Sequence, residues 1–561
     1  MRRIAALFMS FAMVAVACQS ATPSQTPGPA ATTAPGATTT PVTAAPAVTP
    51  PAISRDRDTL VIAVDAFSPD FDPASSYLLA QGLLWRGTYD GLVRLKGNSA
   101  TEIEGALAAT WETNADSSTW TFHLRPNVKF TDGTPVDAQA VKTNYVRIVK
   151  LALGTQLILG AFLTDPEKQI KVVDAATVEF DLGAPTPSFG RVLAAEWGTG
   201  IVSPKVFTDH STGAKDQGHE YLQGNAVGTG PYKITSVEPD NQVVLEQNPD
   251  YWGGWSGTHF KKVIMRSVPD GATRRQLIES GDVDIAIAST ADDSAAIKAD
   301  PRFFQPGETN LAMDYIIMGE YGNLAKPGAR QAMSYLWPYD DYINTVAKGD
   351  LARPNGVFPD LLDTSVKDFS PKTDTAKATQ LFQAAGIAPG TTFTYEYYTG
   401  FGKEVGEVLQ AQLESVGMHL TINEKSFGAF NGDLTTDRAA DKRADMSYWG
   451  WWPDYNQPSD YTWILFNSAA APDACQGCYN SGYYKNADID KIINDGFTEA
   501  DPAKLATSFK EAQRIMGEDV DPPIIPVGQP IDVTYYRTDI KGQVSNPLYI
   551  FTWDFYALSR G

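Results

Sequence analysis

The chain has 561 residues, 43% apolar and 20% charged, a globular composition too long for one ordinary core and therefore divided among two or three packed lobes. Its 45 Lys and Arg against 66 Asp and Glu leave a net charge of -21, which argues against nucleic acid or an anionic membrane surface as its partner.

The first residues read as a processing segment, 1–17. Arg2 and Arg3 precede an apolar run from Ile4 to Ala17 that is too short to span a bilayer. Ala15 and Ala17 directly before Cys18 resemble the lipobox of bacterial lipoproteins, which implies lipidation of Cys18; a plain secretory signal is the alternative. Residues 18–54 collapse to Ala, Thr, Pro, Ser, Gly and Val. With no apolar surface to bury, they form a disordered or polyproline-like tether that at about 3.1 Å per residue reaches about 100 Å.

Thr59 to Val64 is a compact apolar run and reads as a buried strand ended at Asp70-Phe71-Asp72-Pro73. A helix is expected near Tyr77 to Tyr89. Trp120, Phe122 and Leu124 alternate as a half-buried strand, Asp132-Gly133 turns, and Ala138, Val141, Tyr145 and Ile148 share a helical face. Pro338 ends the helix containing Arg330-Gln331-Ala332. Ala376 to Ala385 is helical with Gly386 as its stop, and Phe393, Tyr395 and Tyr397 alternate as a strand. Val405, Val408, Leu409, Leu413 and Val416 repeat at helical spacing before Met418, Leu420 and Ile422 alternate again. Helices between strands imply parallel crossovers and a sheet covered on both faces. In such a sheet, ligands sit beyond the carboxyl ends of the strands. The loop expected there runs from Ser447 to Pro458 and holds Tyr448, Trp449, Gly450, Trp451, Trp452 and Asp454. So many rings around one Gly and one acid fit a ligand wall, and equally a Trp-rich turn capping a core strand.

The blocks Leu107 to Glu112, Asn114 to Pro135 and Ala138 to Lys142, followed in order by Val227-Gly-Thr-Gly-Pro-Tyr-Lys233, Asn248-Pro-Asp-Tyr-Trp252, Leu277 to Ile285 and Pro522 to Val527, resemble family 5 extracellular solute-binding proteins. These are the oligopeptide, dipeptide and nickel binding components of bacterial ABC importers. The resemblance covers Arg55 to Gly561 and weakens between Met313 and Asp360. It implies an α/β, periplasmic-binding-protein-like two-lobe cleft fold with an extra third domain: lobe I from 55–95, 226–308 and 527–561, the extra domain from 96–225, and lobe II from 309–526. It also implies a monomer without cofactor, exported and held through Cys18 at the outer face of the cytoplasmic membrane, where it delivers a solute to ABC permease subunits.

In the same resemblance, the acid of the block Gly450 to Pro458, Asp454, pairs with the free amine of a bound peptide; capping of the turn before Pro458 is the alternative. Backbone groups near Trp449 and Gly450 can add strand-like hydrogen bonds to an extended peptide. Oligopeptide binders tend to carry a basic residue where this chain has Tyr448. Trp449, Trp451, Trp452 and Trp463 also suit stacking on sugar rings, so an oligosaccharide or other amphipathic solute is the competing ligand. Catalytic motifs are missing: there is no Gly-x-Ser-x-Gly elbow and no P-loop, and His219-Glu220 lacks the second His of a zinc helix. A secreted hydrolase survives only through residues brought together in space. His123, His210, His259 and His419 are isolated in sequence and read as solvated or satisfied. Cys475 and Cys478, with no second CxxC and only five His in the chain, read as a disulfide in preference to a metal or redox dithiol.

Overall fold

A computed structural model describes residues 56–561 apart from 76–78, 289, 364, 366 and 551; the signal, Cys18 and tether expectations lie outside the described residues. Two large sheets organise the chain. The Thr59–Val64 strand sits inside a seven-stranded sheet, where it pairs in parallel with Lys262–Ser267 and Ile285–Ile287. Buried Asp284 accepts a hydrogen bond from the Val61 amide at 2.9 Å and an ion pair from Arg560 at 3.0 Å, tying both ends of the described chain to this sheet.

A four-stranded antiparallel sheet carries the strand of Trp120, Phe122 and Leu124, which bury alternately as their spacing requires. The helix Ala138–Leu151 packs nearby and is capped by Asp137, whose carboxylate accepts from the Ala140 amide. Arg147 on this helix reaches out of the unit to Asp72, donating bidentate bonds of 2.8 and 2.6 Å with both side chains buried. His219 bonds the same carboxylate at 2.9 Å. Arg147 holds the Asp72 carboxyl down at about 2 against the opposing effect of burial.

The six-stranded sheet has the order Leu351–Ala352, Ile524–Pro530, Met313–Met318, Met446–Trp451, Thr392–Tyr398, His419–Lys425. The helix Lys403–Ser415 makes the expected crossover between the parallel strands Thr392–Tyr398 and His419–Lys425. The sheet as a whole is mixed, however, because Met313–Met318 runs antiparallel to both of its neighbours. The aromatic stretch is also placed differently from expectation. Ser447 to Trp451 belong to the strand itself, and only Trp452 to Gln457 form the loop beyond it. Tyr and Trp favour an extended, half-buried surface, and Met313–Met318 supplies a partner along the whole run, from Met446 opposite Met318 to Trp451 opposite Met313.

Candidate functional site

A cavity of about 3220 Å³ lies between the two large sheets. The segment after Thr59–Val64 forms part of its wall, as do the turn after Ala138–Leu151, the helix Lys403–Ser415 and the aromatic strand with its loop. Tyr448, Trp449, Gly450, Trp451, Trp452 and Asp454 all line it.

They do so from two faces. Successive strand side chains alternate, so Tyr448 and Gly450 share one face and Trp449 and Trp451 the other. Trp449 stacks on Tyr479 with ring centroids 5.3 Å apart and on Phe430 at 5.9 Å, and Trp451 lies 6.0 Å from Tyr479. The indole N–H groups of Trp449 and Trp451 are buried and have no acceptor among the described residues, an arrangement that costs free energy unless a ligand supplies one. On the opposite face the buried Tyr448 ring packs on Phe401 at 4.9 Å, and its hydroxyl donates to Asp314 at 2.8 Å. Tyr448 is therefore held by a ring contact and a hydrogen bond while it lines the cavity. The pairing of this strand with Thr392–Tyr398 extends only over Met446 and Ser447, so from Tyr448 to Trp451 that edge has no strand partner among the described residues.

The loop after the strand is tightly held. Arg191 donates to the Asn456 carbonyl at 2.9 Å and to Asp363 at 2.7 Å, and Asn456 accepts from the Asp363 amide at 2.7 Å. The helix Pro458–Phe466 is capped by Gln457, whose side-chain oxygen accepts from the Asp460 amide at 2.8 Å. The capping alternative for Asp454 is thus taken by another residue. Asp454 donates its own amide to the Asp460 carboxylate at 3.1 Å. Its carboxylate is half-buried on the cavity wall and has no hydrogen bond or ion pair from the described residues. Burial pushes the Asp454 carboxyl up to about 7. Burial and the neighbouring Asp454 charge push Asp460 well above the usual carboxylate range. Two neighbouring carboxyls on one wall resist double ionisation, so the pair gains by meeting a cation.

Asp460 and Asp314 are the site residues that local pattern does not reveal. Asp460 lies in the first turn of its helix, a position common to acids that merely complement the helix dipole. Asp314 is 7% exposed within an apolar strand, and burial pushes it up to about 7 with only the Tyr448 hydroxyl opposing. Cys475 and Cys478 are bridged and pack against Trp463 and Ile464; Cys475 itself reaches the cavity wall. His123 lies 3.6 Å from Glu112, His210 stacks on Tyr221 at 3.8 Å, and His259 bonds the carbonyls of Tyr556 and Ser256. Among the described residues there is no group of His, Cys, Asp or Glu able to hold a metal ion, and no helix long and apolar enough to cross a membrane.

Three comparisons place this architecture among known proteins. The probable D,D-dipeptide-binding periplasmic protein DdpA of Escherichia coli is 26% identical over 501 residues, covering 88% of this chain and 92% of that protein. The di/tripeptide-binding protein 2 of Pseudomonas aeruginosa is 26% identical over 532 residues, covering 89% and 94%. Among solved structures, the ABC transporter-associated periplasmic binding protein DppA of Helicobacter pylori, in complex with the peptide STSA, superposes with a TM-score of 0.74 at 22% identity, covering 90% of this chain and 98% of that one. The fold is the two-lobe cleft of periplasmic binding proteins. Residues 102–473, more than half of the chain, match the family described as bacterial extracellular solute-binding proteins, family 5, middle region. The chain belongs to the family 5 bacterial extracellular solute-binding proteins.

Proposed function

We propose that this protein captures peptides in the cleft between its two large sheets and delivers them to the membrane permease of an ABC importer, without catalysing their turnover. The observation that carries the reading is the pairing of an unpartnered, half-buried carboxylate, Asp454, with a strand edge that has no strand partner among the described residues at Tyr448 to Trp451. An extended peptide satisfies both. Its ammonium meets Asp454 in a charge-assisted contact, and its amides and carbonyls continue the sheet without reading side chains. Its carbonyls also offer acceptors to the orphan indoles of Trp449 and Trp451. The peptide-binding names of the two relatives and the peptide held by the Helicobacter pylori structure support the same reading.

In this reading the seven-stranded sheet is lobe I, the six-stranded sheet lobe II, and the four-stranded unit the extra domain. That Ile524–Pro530 is a strand of the six-stranded sheet supports a last crossing after Pro530 in place of the expected 526. Ligand contacts made by both lobes favour the closed state, which is what a permease can recognise. Lipidation at Cys18 would keep the protein, as a monomer on its tether, at the outer face of the cytoplasmic membrane. Native mass spectrometry of gently purified protein tests the reading. Peptides are expected in the bound fraction, and a glycan in their place would overturn it.

A further inference from the structure

The cavity wall is one-sided in charge. Among the described residues, Lys348 is the only lysine or arginine on it, and Lys348 is already bound to Asp292. Asp314, Glu404, Asp454 and Asp460 line the same cavity with no ion pair from the described residues. A ligand carboxylate therefore has no free cationic receptor in the wall, whereas positive charge has more than one.

Asp314 is set apart from the Asp454 pair. It belongs to the face of the sheet that carries Tyr448, across the strand from Trp449 and Trp451. One carboxylate oxygen accepts from the Tyr448 hydroxyl at 2.8 Å; the other has no donor among the described residues. Opposite Asp314 in the strand pair stands Gly450. A Cβ at that position would lie 3.0 Å from the free oxygen and 3.4 Å from the Phe401 ring, so the glycine keeps the approach to that oxygen clear. Glu404, exposed at the start of the helix Lys403–Ser415, lines the same cavity as Asp314, Phe401 and Tyr342. Phe401 and Tyr342 give this pocket flat apolar walls, the setting in which the stem of a long basic side chain is buried while its head meets an acid.

We propose that Asp314, with Glu404 at its rim and Gly450 leaving its free oxygen open, forms a second cation-receiving subsite that accepts the ammonium or guanidinium of a basic side chain, so that the protein selects peptides carrying a Lys or Arg in addition to their terminal amine. The proposal rests on the peptide reading of the cleft and adds to it a preference that Asp454 alone does not produce. Burial of Asp314, which raises its carboxyl, makes a paired cation more valuable there than at an exposed acid.

The test is calorimetric titration of the full chain with C-terminally amidated tetrapeptides of alanine, each bearing one lysine at the second, third or fourth position, against the same peptides with norleucine in place of lysine. At least one lysine peptide is expected to bind roughly tenfold tighter than its norleucine counterpart. Asp314→Asn, Glu404→Gln and Gly450→Ala are each expected to bring that ratio toward one. Glu404 is exposed, so its variant reports even if a substitution in the buried strand pair impairs folding. Equal binding of lysine and norleucine peptides overturns the subsite and leaves the peptide reading standing, as does a preference that survives both Asp314→Asn and Glu404→Gln. Failure of every peptide to bind overturns both.

Discussion

Replacing Asp454 by Asn removes one charge from the cleft at constant shape, and its consequences can be worked from the site. The carboxylate has no hydrogen bond from the described residues, so the substitution strands no donor. At about 4 Å and an effective dielectric near 20, an ammonium and a carboxylate attract by about 4 kcal/mol. Desolvation of the ammonium offsets part of this, leaving about 2 to 3 kcal/mol, or roughly 30- to 150-fold in affinity. Because burial raises the carboxyl in the free protein, binding of an ammonium must expel its proton on the acidic side of neutrality. Affinity is therefore expected to rise with pH toward neutrality and to fall again as the peptide amine deprotonates near about 8. Asp460 moderates the single variant. Relieved of its neighbour's charge, it ionises more readily and takes over part of the role, so Asp454→Asn with Asp460→Asn loses more than Asp454→Asn alone. Calorimetry with a peptide and its N-acetylated form is the assay, since acetylation removes the same charge from the other side. The free peptide should lose affinity and the acetylated one should not. An equal loss for both forms, or none for either, refutes the amine role of Asp454.

Other expectations concern stability. Asp314 has a folded-state pKa of about 7, above its ordinary 3.8, so the folded state holds its proton more firmly than the unfolded chain does, and this contribution fades as pH rises through 7; Asp314→Asn should raise the melting temperature at pH 8, by up to about 4 kcal/mol of stability, and leave it near the parent value at pH 4. Asp72 is the opposite case: its carboxyl is held at about 2 in the folded protein, so its stabilisation is present above about pH 4 and lost as pH falls through 2. Arg147→Ala, which leaves that buried carboxylate without its bidentate partner, should destabilise by about 3 to 5 kcal/mol in urea unfolding at pH 7. Replacing both Cys475 and Cys478 by Ser opens a short loop, and a loss of about 2 kcal/mol is expected from the chain-entropy relation, read as a lower denaturation midpoint of the oxidised protein.

Much of the molecule is written locally. Trp120, Phe122 and Leu124 bury alternately because a strand repeats every two residues. The helix Thr375–Ala385 stops at Gly386, whose φ of 80° few other residues adopt at low cost. Asp454 is legible because a lone acid amid rings is conspicuous, and its block of residues is contiguous. What local pattern could not reveal is which side of the strand each ring faces and which other acids join the site. The run Ser447 to Trp451 reads as a loop until Met313–Met318, far away in sequence, pairs with it and makes it a strand. That same register sets Gly450 opposite Asp314 and brings Tyr448 onto its carboxylate. Asp460 meets Asp454 only because the loop turns back onto the first turn of the next helix, held there by Arg191 and Asn456. The sequence by itself determined the cleanly alternating strands, the periodic helices and the conspicuous acid, since these depend on neighbours a few residues apart. The tertiary structure decided the charge of the site, because burial and proximity, which shift a carboxyl from an ordinary acid to one near 7, are properties of residues distant along the chain.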